Sequence, residues 1–194
     1  MTASTGSLGI EAVLPEVRVL EPKRHLDDRG HFCETYNQRH LAALGIECSF
    51  VQDNESLSHR EGTIRGLHFQ SGSCAQAKLV RVARGAIFDV VVDLRRGSPR
   101  FGQFQAFHIS DDNEAQVFVP IGFGHGFCTL APATLVQYKV SSYYSSKHDT
   151  GVCWDDPDLA IPWPLKGGAP ILSAKDQGLP NLCDHPALFT YEGS

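Results

Sequence analysis

The sequence has little of what several common protein classes need. Lys and Arg number 17 against 22 Asp and Glu, so the formal net charge is -5 and no basic excess is available for a nucleic-acid backbone. No apolar stretch approaches the roughly 20 residues of a membrane span. The N-terminal segment also lacks a basic region followed by a sustained apolar run. We therefore predict a soluble, cytoplasmic protein that binds neither nucleic acid nor membrane.

The cysteines do not form a recognisable motif. None of them belongs to a C-x-x-C pair, and they stand far apart at Cys33, Cys48, Cys74, Cys128, Cys153 and Cys183. At 194 residues the chain is long enough to bury a core without disulfide staples. We predict reduced, buried thiols and a single domain over residues 1–194.

Familiar cofactor and catalytic motifs are absent or incomplete. There is no P-loop and no G-x-S-x-G elbow, and residues 122–126 follow G-x-G-x-G, not the dinucleotide fingerprint. His125 matches the second half of a metal-binding cupin motif. The first half fails, because a metal cupin has His-x-His followed by a carboxylate, whereas Phe and Gln follow His68 here. Lys78 would also repel a cation, so we predict no metal and no cofactor.

Short segments with period-two alternation dominate what is present. Gly and Pro residues separate these segments at short intervals, a rhythm that favours a sandwich or barrel over βαβ units. Helix is predicted only at 38–44, with Asn37 as its cap, and in a short turn near Ala174–Gln177. The predicted strands are residues 17–20, 31–36, 78–82, 86–94, 103–109 and 116–119.

Polar side chains interrupt segments that would otherwise be apolar. His68 and Gln70 are two residues apart in an extended segment and therefore face the same side. Lys78 begins an alternation with two valines, and Tyr138 lies in another strand-like segment. A lysine in a row of valines indicates a function. Asp176 contacts a histidine only if the C-terminal segment folds back over the barrel mouth, and sequence spacing does not decide this.

Six segments, in order over about residues 21–176, together resemble the dTDP-4-dehydrorhamnose 3,5-epimerase family. They are FVQDNES (50–56), RGLHFQ (65–70), AQAKLV (75–80), DVVVDLR (89–95), PIGFGHGF (120–127) and SAKD (173–176). The resemblance implies an all-β, cupin-type jelly-roll barrel with a few short helices. It also implies a homodimer that exchanges N-terminal strands.

The implied activity is the inversion of C3 and C5 in dTDP-4-dehydro-6-deoxy-D-glucose. The product is dTDP-4-dehydro-L-rhamnose, and the reaction belongs to dTDP-L-rhamnose synthesis. No cofactor is implied.

The same resemblance implies the roles of individual residues. His68 matches the family's general base, Asp176 its carboxylate partner, Tyr138 the acid on the opposite face of the sugar, and Lys78 the cation that stabilises the enolate. The implied substrate-binding residues are Arg29, Phe32, Glu34, Gln52, Asn54, Arg65, His125, Tyr144, Asp149 and Lys175. Arg29 and Arg65 match residues that bind the diphosphate. A plainer role for His125, which stands between glycines, is to buttress a loop.

Three positions depart from the family pattern. His31 and Cys33 stand where the exchanged strand commonly carries aromatic residues, and Asp149 stands where the family often has glutamate. None of the three is a proposed proton-transfer group.

Two other functions stay open at this stage. The first is a mono-epimerase that inverts only C3 or C5 of a nucleotide deoxysugar in a secondary-metabolite pathway, because it would use the same residues. The second is a non-catalytic sugar-binding barrel or a metal-dependent cupin.

Overall fold

The chain folds mainly into β-strands. The computed structural model describes residues 2–4, 13–185 and 189–193. The strands are β1 (Thr2–Ser4), β2 (Arg18–Glu21), β3 (Arg24–Asp27), β4 (Gly30–Cys33), β5 (Gln52–Ser58), β6 (Ile64–Gln70), β7 (Lys78–Arg84), β8 (Ala86–Asp93), β9 (Arg95–Arg96), β10 (Phe104–Ser110), β11 (Gln116–Val119), β12 (Phe123–Thr129), β13 (Thr134–Val140), β14 (Asp149–Gly151) and β15 (Phe189–Thr190). The helices are α1 (Gln38–Ala43) and α2 (Ala174–Gln177), with a 3-10 turn at Gly72–Cys74.

Two antiparallel sheets form the barrel. The larger sheet has the strand order β1-β2-β11-β7-β13-β5, and the smaller has the order β10-β8-β12-β6-β14. Several neighbouring strands in each sheet are far apart in sequence, as the pairing of β6 with β12 and of β7 with β13 shows. These crossovers and the short helices confirm the predicted all-β jelly-roll class.

The main core lies between the two sheets. Alternate residues of each strand point inward, as expected when one face of a sheet is buried. The larger sheet contributes Val80, Val82, Val117, Val119 and Val136, and the smaller contributes Ile87, Val91, Phe107, Ile109, Phe123 and Phe127. These β-branched and aromatic side chains suit a pleated, buried surface.

Other segments cover the outer faces of the sheets. Leu41 of α1 and Ile46 pack on Leu20 and Leu79 of the larger sheet. On the other side, the segment after β14 packs Val152, Leu159, Ile161 and Leu182 against Leu67, Val90 and Val92. The chain therefore returns across the smaller sheet after β14, which carries the C-terminal segment toward the end of the barrel where α2 contacts β6.

Most predicted elements are confirmed, with ends that move by one or two residues. The predicted helix is α1, and the Asn37 side chain accepts hydrogen bonds from the backbone N–H groups of Arg39 and His40. The predicted strand at 31–36 is wrong beyond Cys33, because residues 34–36 find no partner strand before the helix cap.

A strand that the sequence did not predict runs through the glycine-rich segment. β12 is buried along its whole length, so His125 lies in a central strand and not in a loop. A Cβ added at Gly126 would lie 2.9 Å from the Arg65 carbonyl oxygen of β6. Glycine is needed here because the backbones of β12 and β6 approach too closely for a side chain.

The cysteines are free, but the prediction that they are buried is only partly right. Cys128 is buried, four others are partly exposed, and Cys183 is exposed because it lies in a surface turn after the last covering segment. Among the described residues, no helix is long and apolar enough to cross a membrane.

Candidate active site

A cavity opens at the end of the barrel where the inward-facing side chains change from apolar to polar. It has a volume of about 420 Å³. A smaller cavity of about 200 Å³ adjoins it and shares His68, Lys78, Tyr138 and Lys175 with it. Both sheets and the C-terminal segment supply the lining, so the cavity exists only when the barrel is closed.

His68 and Asp176 form a hydrogen-bonded pair on one wall. His68 projects from β6, and its Nε2 lies 2.5 Å from Oδ1 of Asp176 in α2. Asp176 is only 2% exposed, and its backbone N–H donates to the hydroxyl of Ser173, the cap of that short helix. The folding back of the C-terminal segment, which spacing left open, is therefore what brings the carboxylate to the histidine.

The pKa values of this pair are shifted in ways that suit a neutral base beside an anion. Burial lowers the pKa of His68 below 6.5, although the hydrogen bond and charge of Asp176 oppose this. Burial alone would raise the pKa of Asp176, but interactions with His68, Ser173 and Lys175 together outweigh it, so that pKa is lowered. At neutral pH the pair holds a neutral imidazole and an ionised carboxylate.

Lys78 places a cation inside the cavity. It stands at the start of β7 and is buried, and its Nζ donates to the backbone oxygen of His68 at 3.2 Å. Burial lowers the pKa of this amine to about 8, and the charges of Asp149 and Asp89 limit the shift. The lysine therefore stays largely protonated at neutral pH and is poised to meet a developing negative charge.

Tyr138 faces the cavity from β13, the strand next to β7. Burial raises the pKa of its phenol, so the hydroxyl keeps its proton at neutral pH. Within residues 13–185 and 189–193, no side chain or backbone group hydrogen-bonds this hydroxyl. A substrate in the cavity would therefore meet an unoccupied proton donor.

A second histidine–carboxylate pair lies deeper in the barrel. Nε2 of His125 is 2.7 Å from Oδ1 of Asp89, and both side chains are buried. Asp89 was not among the residues proposed from the sequence. A signal was present, since an aspartate inside the apolar strand AIFDVVVDL needs a buried partner.

The smaller cavity carries a network of polar side chains. The Gln52 amide donates to Asn54 and accepts from the backbone N–H of Tyr144. Asp149 accepts from Lys175 at 2.6 Å and from the Tyr144 hydroxyl at 3.2 Å. The structure therefore brings five of the predicted substrate-binding residues together at this end of the site.

Arg65 also lines the larger cavity. Its guanidinium donates to the Ser58 hydroxyl at 3.1 Å and to the Leu57 carbonyl at 3.2 Å. These neutral acceptors orient the side chain without neutralising it, so its charge remains available to an anionic ligand.

Three predicted substrate-binding residues do not reach this site within one chain. Arg29 is exposed and pairs with Asp27, Phe32 is exposed, and Glu34 pairs with His40. None of the three lines either cavity. Within the described parts of the chain, no group of three or more His, Cys, Asp or Glu side chains is arranged to hold a metal ion.

Comparison with known proteins finds similarity over nearly the whole chain. A family model described as dTDP-4-dehydrorhamnose 3,5-epimerase matches residues 11–184. A protein of that name from Sinorhizobium fredii is 47% identical over 178 residues, which cover 92% of this chain and 91% of the relative.

Two further relatives bear on the ligand and on the reaction. A crystal structure of a dTDP-6-deoxy-D-glucose 3,5-epimerase from Legionella pneumophila, in complex with dTDP-4-keto-L-rhamnose, has a TM-score of 0.88 and 42% identity and covers 93% of this chain and 96% of its own. A dTDP-4-dehydrorhamnose 3-epimerase from Streptomyces niveus is 40% identical, covering 88% of this chain and 79% of that protein. The relatives that are similar in sequence to this chain thus include both 3,5-epimerases and a 3-epimerase.

Proposed function

Because the chain belongs to the dTDP-4-dehydrorhamnose 3,5-epimerase family, we propose that it inverts C3 and C5 of dTDP-4-dehydro-6-deoxy-D-glucose to give dTDP-4-dehydro-L-rhamnose. The observation that carries this proposal is the meeting of His68, Tyr138 and Lys78 in one cavity, with Asp176 bonded to the histidine. These are the base, acid and cation that the reaction requires.

The chemistry explains why these residue types are needed. C3 and C5 both lie next to the C4 carbonyl, so either C–H can be lost as a proton if the resulting enolate is stabilised. No hydride leaves the sugar. Inversion then requires a proton to return from the opposite face, which a single base cannot supply.

His68 is the proposed base. An imidazole that is neutral near working pH can accept the carbon-bound proton. Asp176 holds the ring through Nε2 and stabilises the imidazolium that forms. In the neutral imidazole, Nδ1 is then the nitrogen that can accept the substrate proton.

Tyr138 and Lys78 complete the proton transfer. The protonated Tyr138 hydroxyl delivers a proton to the carbon from the other side of the ring. Lys78 stabilises the negative charge that develops on O4, where a preorganised cation in a buried site has a large effect.

The remaining predicted residues are proposed to hold the nucleotide. Arg65 suits the diphosphate because its planar guanidinium matches phosphate oxygens. Tyr144, 60% exposed beside the smaller cavity, offers an aromatic face to the thymine. Asp149, shorter than the glutamate common in the family, reaches both Tyr144 and Lys175.

We further propose that the active form is a cytoplasmic homodimer that exchanges N-terminal strands. The hairpin of β3 and β4 exposes Leu26 and Phe32, which are 80% and 70% exposed in the single chain. Arg29 and Glu34 accompany this apolar surface. Insertion of the hairpin into the partner's site would bury the exposed side chains and supply the residues that the single chain leaves outside.

Exchange of substrate hydrogens with solvent tests the reaction directly. In deuterium oxide, we expect proton NMR of dTDP-4-dehydro-6-deoxy-D-glucose to show deuterium incorporation at both C3 and C5, with or without chelator. Incorporation at one carbon would instead identify a mono-epimerase, which the 40% identical 3-epimerase makes the second candidate. Absence of incorporation at both carbons would contradict an epimerase function.

The pH dependence of kcat/KM should be bell-shaped. His68 must be neutral to accept a proton, and its lowered pKa places the acid limb below pH 6.5. Lys78 must be charged, so the rate should fall as pH rises through its pKa of about 8. Measurements from about pH 5 to about pH 10 would resolve both limbs.

Replacement of Lys78 by arginine tests whether Lys78 causes the fall of kcat/KM at alkaline pH. Arginine does not lose its proton in this range. The variant should be slower, by roughly tenfold to a hundredfold, but its rate should no longer decline near pH 8. A limb that stays in place in this variant would show that another group titrates there.

A further inference from the structure

The hairpin of β3 and β4 is too exposed for burial to hold it against the barrel. It forms a separate two-stranded sheet and pairs with neither sheet of the barrel. Every residue of β3 is exposed, and only Cys33 of β4 is partly buried. An isolated two-stranded hairpin is marginally stable in water. Side-chain contacts must therefore fix its position.

Glu114 supplies these contacts from the loop between β10 and β11. Its Oε1 lies 2.7 Å from Nε2 of His31 in β4, and its Oε2 lies 3.6 Å from Nε of Arg24 in β3. The same arginine donates to the Asp112 carbonyl at 2.8 Å. One carboxylate thus bridges both strands of the hairpin to the barrel.

Burial makes this bridge significant. The Glu114 side chain is only 9% exposed, and its Oε2 has no hydrogen-bond partner within the described residues. The residue also adopts a positive φ of 50°, which is unfavourable for a side chain of this kind. A buried carboxylate in a strained backbone persists only where partners compensate it, and here Arg24 and His31, which pair with it, both come from the hairpin.

We propose that Glu114 is a positioning residue for substrate binding, which acts by fixing the hairpin that carries Arg29 and Phe32 into the partner's site. This proposal rests on the proposed function and on strand exchange. Glu114 lines neither cavity of the proposed site, so its loss should weaken binding and leave the chemical step intact. The contacts of Glu114 with Arg24 and His31 are called the clamp below.

The test is the variant Glu114→Gln, which keeps the shape of the side chain and removes its charge. A hairpin that is correctly placed only about a tenth of the time would raise the apparent KM about tenfold. We expect this rise for the dTDP-sugar with kcat within about twofold of wild type, the pattern of lost uniform binding. Glu47→Gln, at an exposed glutamate, is the matched control and should leave both constants unchanged.

Hydrogen–deuterium exchange measures how firmly the clamp holds the hairpin, independently of catalysis. In Glu114→Gln the amides of residues 24–33 should exchange at least about tenfold faster, while those of β7 and β12 should keep their wild-type rates. Unchanged exchange in the hairpin would overturn the clamp, whatever the activity of the variant.

Mixed dimers test whether the hairpin acts on the partner. In a dimer of one Glu114→Gln chain and one His68→Ala chain, the only working site receives an intact hairpin, so KM should return to the wild-type value. In a dimer of a wild-type chain and a chain with both substitutions, the only working site receives the loosened hairpin, and KM should be raised.

The possible failures are distinguishable. The reversed pattern in the two mixed dimers, or a wild-type KM in Glu114→Gln, would overturn the positioning role. Absence of epimerisation by the wild-type protein would instead overturn the proposed function, and the exchange measurement would still decide whether Glu114 holds the hairpin.

Discussion

His68→Ala should lower kcat for epimerisation by about 10³-fold or more, because it removes the only proposed base on its face of the sugar. Deuterium incorporation at C3 and at C5 should fall together, since one imidazole serves both carbons. Incorporation that persists at either carbon within about tenfold of the wild-type rate would assign that proton to another base.

Two variants separate this chemical effect from a structural one. Loss of His68 leaves the buried Asp176 carboxylate without its main partner, which itself destabilises the fold. The double variant His68→Ala/Asp176→Ala removes the uncompensated charge and should be equally inactive but more stable to denaturant. His108→Ala, at an exposed position of β10, should retain wild-type activity.

Tyr138→Phe should separate proton exchange from inversion. Formation of epimerised product should fall by about 10² to 10⁴-fold, the usual contribution of a positioned acid. His68 can still remove a proton and return a deuteron to the same face. Proton NMR should therefore show substrate that has gained deuterium but kept its configuration, a species that wild type should not accumulate.

The same variant has a low structural cost. The Tyr138 hydroxyl has no hydrogen-bond partner among the described residues, and phenylalanine keeps the ring that packs against the core. Its stability should stay close to that of wild type, and Tyr143→Phe, at an exposed ring nearby, serves as the matched control. If exchange and inversion fell by the same factor, Tyr138 would act in enolate formation and not as the opposite acid.

Local patterns predicted much of the barrel because a half-buried strand produces an alternation of apolar and polar residues in its own sequence. Alternation identified β7, β8 and β10, since side chains on a half-buried strand point alternately to core and solvent. The same logic missed β12, where glycines replace the expected side chains. Their reason is the close approach of β6, which no local pattern of β12 records.

The candidate site was likewise predictable only in part. The type of each residue indicated a chemistry, and the valine row around Lys78 already marked that lysine as unusual. The pairing of His68 with Asp176 spans 108 residues, and the pairing of His125 with Asp89 spans 36. The roles themselves stay predictions that the experiments above address, and the single domain over residues 1–194 also stays a prediction.

The sequence by itself indicated the fold class, the family and the side chains proposed to react, because side-chain periodicity and residue chemistry are properties of short segments. Only the tertiary structure decided which groups meet and in what charge state. Closure of the two sheets buries Lys78 and lowers its pKa to about 8, and the returning C-terminal segment places Asp176 on His68. The contacts of Glu114 with Arg24 and His31 also join segments that are distant in sequence, so only the structure reveals them. Burial and contact between distant segments depend on how the whole chain packs, and no single segment contains that information.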